Sequence, residues 1–320
     1  MTLNASNFSQ QEVPLLEPAP WSSFDLAEEL SEKEVTSHAW SPPGLARHGT
    51  CALAVLTSNH ILSIWECTGR PSSAADWQRV LIVNSVLETS PSTSNTSLKR
   101  CKRVRSFDWL PVPLSPQDQD GIGGRLTRHT FHLAVGDDAS DIHLVRVKLH
   151  QDSFVRQEHV PLKTVLAVKA SSSIPSANVL LTMLPSRLEA RPNFVDQISC
   201  SPWDRSPDGA LFATLAFTLS DRLCSMRLQT PNTTDDTLEA EQPMPISLPE
   251  MPDKISGPIQ WAPRLSKLGS LLVFFSTTDI FCLSVAPVEG VRLSSEPLNT
   301  RWNRIAGELH TSLLCSARLT

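Results

Sequence analysis

No two of the seven cysteines (Cys51, Cys67, Cys101, Cys200, Cys224, Cys282 and Cys315) stand as Cys-x-x-Cys, and the number is odd. Neither a zinc site nor a disulfide framework is signalled, and buried free thiols in a reducing compartment are the plain reading. No apolar run approaches the length of a membrane span, and the first 20 residues carry no apolar signal core. The chain is therefore expected to be soluble and intracellular, and the glycosylation-type triplets at Asn4, Asn7, Asn95 and Asn232 read as chance matches. An excess of basic charge is also missing: the net charge is −5, which does not favour wholesale nucleic-acid binding. Neither Gly-x-Ser-x-Gly nor His-Glu-x-x-His occurs. Gly121-Ile-Gly-Gly-Arg125 lacks the strand, helix and Lys-Ser/Thr of a phosphate-cradling loop. The sequence assigns no catalytic, cofactor-binding or metal-binding residues. Helical periodicity is equally scarce, apart from one or two turns suggested by Asp25–Leu30.

What the chain does contain is a recurring β-unit. Four strand-like segments end in Ala39-Trp40-Ser41-Pro42, Asp108-Trp109-Leu110-Pro111, Ser199-Cys200-Ser201-Pro202 and Gln260-Trp261-Ala262-Pro263. A β-branched residue lies five or six positions earlier each time: Val35, Val104, Val195 and Ile255. Second strands are predicted over Cys51–Thr57, Phe131–Gly136, Ala210–Thr218 and Ser270–Ser276. Third strands open at His60-Ile61, Asp141-Ile142, Asp221-Arg222 and Asp279-Ile280. Fourth strands are predicted at Arg79–Val86 and Leu162–Val168 and are not legible in the later units. The markers Trp40, Trp109, Cys200 and Trp261 lie 69, 91 and 61 residues apart. A propeller blade takes roughly 40–45 residues. The surplus sits in Ser/Pro-rich stretches at Glu88–Leu98, Pro111–Arg125, Ala170–Arg191 and Gln229–Lys254, which read as surface loops.

The second strands point to the architecture. Ala52–Leu56, Leu211–Phe217 and Leu271–Phe275 are apolar on both faces, whereas a sheet with one wet face alternates. Each buried Leu, Val or Phe contributes about 1.5–3 kcal/mol, so exposing one whole face is costly. Burial on both sides without crossover helices requires sheets stacked on sheets. Blades of a β-propeller satisfy this better than a two-sheet sandwich, whose outer faces are wet. The expected fold is all-β: a WD-repeat-like propeller with degenerate blades and long insertions, four to five blades being recognisable, a fifth suggested near Trp302. Its units start near residues 35, 104, 195 and 255, within a domain spanning 35–320 and preceded by a flexible lead-in over 1–34. In such repeats the shared position of the tryptophans predicts core wedges between adjacent sheets.

Trp40–Asn59, Ile61–Glu66, Trp77–Asn84 and Val104–Trp109 carry a specific likeness. In them the chain resembles the 90-kDa-subunit family of transcription factor IIIC, N-terminal domain, in its fungal form. The resemblance implies a WD-repeat-like propeller in a nuclear complex that recognises internal promoters of tRNA and 5S rRNA genes and recruits the initiation factor for RNA polymerase III. It further implies a non-catalytic scaffold whose partners are the other subunits of that complex, with the initiation factor and the polymerase as further candidates. DNA would be contacted mostly through the complex. Family members carry a C-terminal Cys/His zinc region that has no counterpart here, and the Trp-Asp signature that closes a third strand is met once, in the degenerate form Trp65-Glu66. Two alternatives remain open: the histone acetyltransferase activity credited to family members, for which no motif is present, and an unrelated peptide-binding propeller.

Two charged features complete the inventory. Lys99, Arg100, Lys102, Arg103 and Arg105 put five cations in seven residues. They suit a nuclear-import signal or a phosphate-contacting patch, or else a solvated loop. His129, His132, Asp137, Asp138, Asp141 and His143 invite a metal reading, yet the aspartates suit hairpin-turn positions, where their side chains bond local amides.

Overall fold

Apolar residues on both faces of the central strands leave four small sheets no option but to stack, and the computed structural model shows them doing so. It describes residues 34–87, 101–112, 130–149, 162–170, 194–206, 210–219, 222–230, 238–246, 257–265, 269–275 and 280–285, together with 5, 8, 14–16 and 255. The first sheet is an antiparallel meander of β1 (Val35–Trp40), β2 (Leu53–Thr57), β3 (Leu62–Cys67) and β4 (Trp77–Ile82). The second repeats it with β5 (Val104–Trp109), β6 (Phe131–Asp137), β7 (Asp141–Val147) and β8 (Leu162–Lys169). In the third, β9 (Val195–Cys200) and β10 (Asp204–Arg205) share one edge of β11 (Leu211–Leu219). Its partner β12 (Arg222–Thr230) is flanked by the short strands β13 (Glu239–Ala240) and β14 (Met244–Pro245). The fourth comprises β15 (Gln260–Leu265), β16 (Gly269–Phe275) and β17 (Ile280–Val285). Among the described residues there is no α-helix, only short 3-10 turns.

The predicted second and third strands are found within a residue or two, and fourth strands occur in the first two sheets; the one expected over Arg79–Val86 runs over Trp77–Ile82 instead, with Val83–Val86 forming a 3-10 turn. The stretch Gln229–Lys254, expected as a loop, contributes β13 and β14 to the third sheet instead. The turn suggested at Asp25–Leu30 and the loop at Gly121–Arg125 lie outside the described residues.

Register makes the repeat exact. The markers pair with a leucine of the second strand in every sheet: Trp40 with Leu53, Trp109 with Leu133, Cys200 with Leu215, Trp261 with Leu272. Because successive strand residues face opposite sides, each central strand serves two cores. Leu133 and Val135 of β6 pack against the first sheet, while Ala134 packs against the third. On β11, Leu215 and Phe217 meet the second sheet and Ala216 the fourth. Three apolar cores thus join sheet one to two, two to three and three to four. The first strands of successive sheets also touch one another: β1 with β5, β5 with β9, β9 with β15.

Polar stitches fix each seam. Asn84, fully buried, donates from Nδ2 to the carbonyls of His60 and Lys102 (both 2.9 Å) and accepts from the Leu62 N–H. Between the second and third sheets, Ser106 donates to the Val195 carbonyl (2.8 Å) and the Cys200 N–H to Asp108 (2.9 Å). Between the third and fourth, Gln197 accepts from the Ile259 N–H and the Trp261 indole donates to the Ser199 carbonyl. Gly136 allows the closest approach, since a Cβ there would lie 2.6 Å from Val195.

The lead-in is not detached where it is described. Ala5 is buried with Val55 and Trp65, Phe8 lies over the Arg79 guanidinium, and Leu16 bridges to Cys101.

Candidate functional site

The basic run leads into β5, and its described members go separate ways. Lys102 turns inward: its ammonium lies 2.8 Å from Asp137 Oδ2 and 2.5 Å from Asp141 Oδ2, and its side chain is 13% exposed. The Arg105 guanidinium sits 4.9 Å from the centre of the Phe194 ring. Arg103 is half-buried, and Lys99 and Arg100 lie outside the described residues. Of the five cations, Lys102 has its charge engaged in an internal ion pair.

That pair belongs to the hairpin between β6 and β7. Asp137 Oδ1 accepts the N–H groups of Ala139 (2.9 Å) and Asp141 (2.7 Å), which closes the turn with Ser140 at a positive φ of 67°. Its Oδ2 is left for His143 Nε2 (2.9 Å) and Lys102. Burial by itself would raise the Asp137 carboxyl. The hydrogen bonds from His143, Lys102 and the Asp141 amide, with the Lys102 charge, outweigh burial and hold it below the ordinary value. Lys102 shows the counterpart: burial lowers it, but Asp137 and Asp141 together raise it above 10.5. Asp137, Asp141 and His143 bring ligand-type atoms within 4.8 Å of one another. The cation between the two carboxylates is the lysine itself. The two charged features of the sequence are therefore each other's partners within the second sheet, where Val104 of β5 stands opposite Asp137 of β6. Nothing in local spacing signals this, because 35 residues or more separate them.

The repeat markers show a direction. Trp109, Cys200 and Trp261 are buried, each in the core shared with the preceding sheet. Trp40 faces the same way on the first sheet, and no described sheet precedes it. It is 55% exposed, with Trp77 tilted against it at 5.8 Å. Trp40 occupies the wedge position, but among the described residues no sheet opposes it. Cys200 and Cys224 are buried thiols; burial pushes Cys200 up well above its usual range and Cys224 up to about 12, so neither is a poised nucleophile.

At the seam's end, the loops after β1 and β5 enclose a cleft of about 630 Å³ lined by Pro42, Pro43, Asp108, Trp109, Pro111 and Val112 among others. The Trp109 indole N–H finds no acceptor among the described residues, although the equivalent Trp261 N–H reaches Ser199. Burial raises the Asp108 carboxyl from 3.8 to about 6, only partly offset by the Cys200 and Trp109 amides. Among the described residues no cation pairs with it.

The family model for the transcription factor IIIC subunit delta β-propeller domain covers residues 2–312. No curated protein matches the chain. Among solved structures, the Nup133 β-propeller domain of Vanderwaltozyma polyspora is similar over 82% of this chain and 60% of that one, at 8% identity and a TM-score of 0.37.

Proposed function

The chain belongs to the transcription factor IIIC subunit delta β-propeller family, and from that membership we propose that it serves as a non-catalytic scaffold subunit in RNA polymerase III transcription. The observation that carries this reading is the family match over 2–312, together with four sheets packed in series on the cores described above. Such an array holds its loops in fixed relation, so partners bind with little ordering cost. The other subunits of the complex are the partners, with the initiation factor and the polymerase as further contacts. The net charge of −5 favours protein partners over direct DNA contact. The test is depletion of the chain from nuclear extract: transcription of a tRNA gene template should fall and return on add-back, and unaffected transcription would refute the role.

Family membership implies a nuclear location. For the import signal itself, Lys99 and Arg100 are the residues to test, because the Lys102 ammonium is held by Asp137 and Asp141. Replacing both by Ala should move the protein towards the cytoplasm, read by fluorescence microscopy of the tagged chain. Unchanged nuclear accumulation would remove the run from that role.

A further inference from the structure

The seven cysteines are scattered along the chain, yet the register of the first sheet aligns two of them. β2 and β3 pair with Leu53 opposite Trp65, Ala54 opposite Ile64 and Val55 opposite Ser63. Two positions beyond Leu53 and Trp65, in the same register, stand Cys51 and Cys67. Both strands still hold their line there. The Ser41 N–H donates to the Ala52 carbonyl (2.8 Å), Thr50 is extended (φ −81°, ψ 178°), and Cys67 stands opposite Trp77 of β4. Alternation along a strand puts Cys51 on the side of Leu53 and Val55, and Cys67 on the side of Trp65. Leu53, Val55 and Trp65 share one apolar cluster on the face turned away from the second sheet, so the two thiols belong to the same face. Both cysteines are free and half-buried. Residues directly opposite on antiparallel strands have Cα atoms about 4.5–5.5 Å apart, inside the span of roughly 4.4–6.8 Å that a disulfide bridges. The Cys67 thiol donates to the Gly69 carbonyl (3.5 Å), a weak bond that one side-chain rotation releases.

We propose that Cys51 and Cys67 form a reversible disulfide when the protein meets an oxidant of the peroxide class. One thiolate attacks the peroxide; the O–O bond breaks, hydroxide leaves, and the sulfur becomes a sulfenic acid. The second thiolate attacks that sulfur; the S–S bond forms, the S–O bond breaks, and hydroxide leaves again. The two hydroxides take up the two thiol protons, so two thiols are oxidised and one peroxide is reduced to two waters. Cys51 ends the connection from β1 to β2, and Cys67 opens the one from β3 to β4, so the bond ties together two loops at the same end of the sheet. Cys200 and Cys224 have no such arrangement: they are buried opposite Leu215 and Phe217 of β11. This inference is independent of the complex the chain joins.

The experiment treats the full chain with hydrogen peroxide, traps free thiols with iodoacetamide under denaturing conditions, and digests it with trypsin. No Lys or Arg lies between Arg47 and Arg70, so both cysteines fall in one peptide, His48–Arg70. Mass spectrometry should find that peptide lighter by two hydrogens and unalkylated, and dithiothreitol before trapping should restore two alkyl groups. The bond should form about tenfold faster or more in the folded chain than in the same chain in urea, because the paired strands hold the thiols together. Two alkyl groups on the peptide, at a peroxide dose that fully oxidises free glutathione, overturn the proposal. So do equal rates in the folded and urea-unfolded chain, or a disulfide from Cys51 or Cys67 to another cysteine or to a second chain.

Discussion

Asp108 and Lys102 show how differently two buried charges act on the same stack of sheets. Asp108 is raised by burial, so the folded state holds its proton more tightly than the unfolded chain does. Its contribution to stability improves as pH falls from above about 6 towards 3.8. Asp108→Asn should therefore stabilise the protein at pH 7.5 by about 1–3 kcal/mol and flatten the pH dependence across that window. Urea denaturation at several pH values checks both, and a destabilised variant at pH 7.5 would contradict the cause assigned. Asp137 is lowered, so its contribution is present above the ordinary carboxylate value and is lost as pH falls through its folded value; that of Lys102 is lost only above 10.5. Replacing Lys102 by Met leaves Asp137 buried without its cation and should cost about 3 kcal/mol or more. A change under 1 kcal/mol in the same assay would mean that water or another group compensates. The sequence displayed the basic run and the acidic hairpin separately. Their union follows from the pairing of β5 with β6, which sets Val104 opposite Asp137 and so brings residue 102 beside residues 137 and 141; it is legible only once that strand register is known.

At the scale of the strand, most of the pattern was open to reading. The Trp-Ser-Pro and Trp-Leu-Pro endings, the two-sided apolar runs and the β-branched starts located the first, second and third strands of every unit. The fourth strand of the third sheet escaped because it is divided into two pairs of residues, β13 and β14, around Pro243. Two-residue pairings carry no alternation, and proline argues against a strand. The significance of Gly136 was also hidden. It sits in an apolar strand whose local pattern would accept a side chain, yet the neighbouring sheet lies against it at Val195. Gly136→Ala should destabilise by about 1–3 kcal/mol through overpacking. Thermal unfolding checks this, and a neutral change would mean that the second and third sheets part more easily than their contacts suggest.

For the whole molecule, the tryptophan positions report the direction of stacking. Trp109 is sealed against the sheet before it, whereas Trp40 stands in the same register with nothing described in front. Sequence shows the common register but not which member of a series stands without a described sheet before it, which is why Trp40 looks like the other markers in the sequence. Trp109→Ala should cost about 3–5 kcal/mol, while Trp40→Ala should cost well under that, since little of its surface is removed from water. Equal losses at the two positions, measured by denaturant unfolding, would mean that Trp40 is covered in solution.

A rigid stack of sheets explains the family's role only if the chain works in company. The most direct measurement is affinity purification of the tagged chain from nuclear extract, with the recovered proteins identified by mass spectrometry. The remaining transcription factor IIIC subunits should be recovered with it in comparable amounts. Recovery of the chain as a lone monomer, or with partners unrelated to RNA polymerase III, would contradict it.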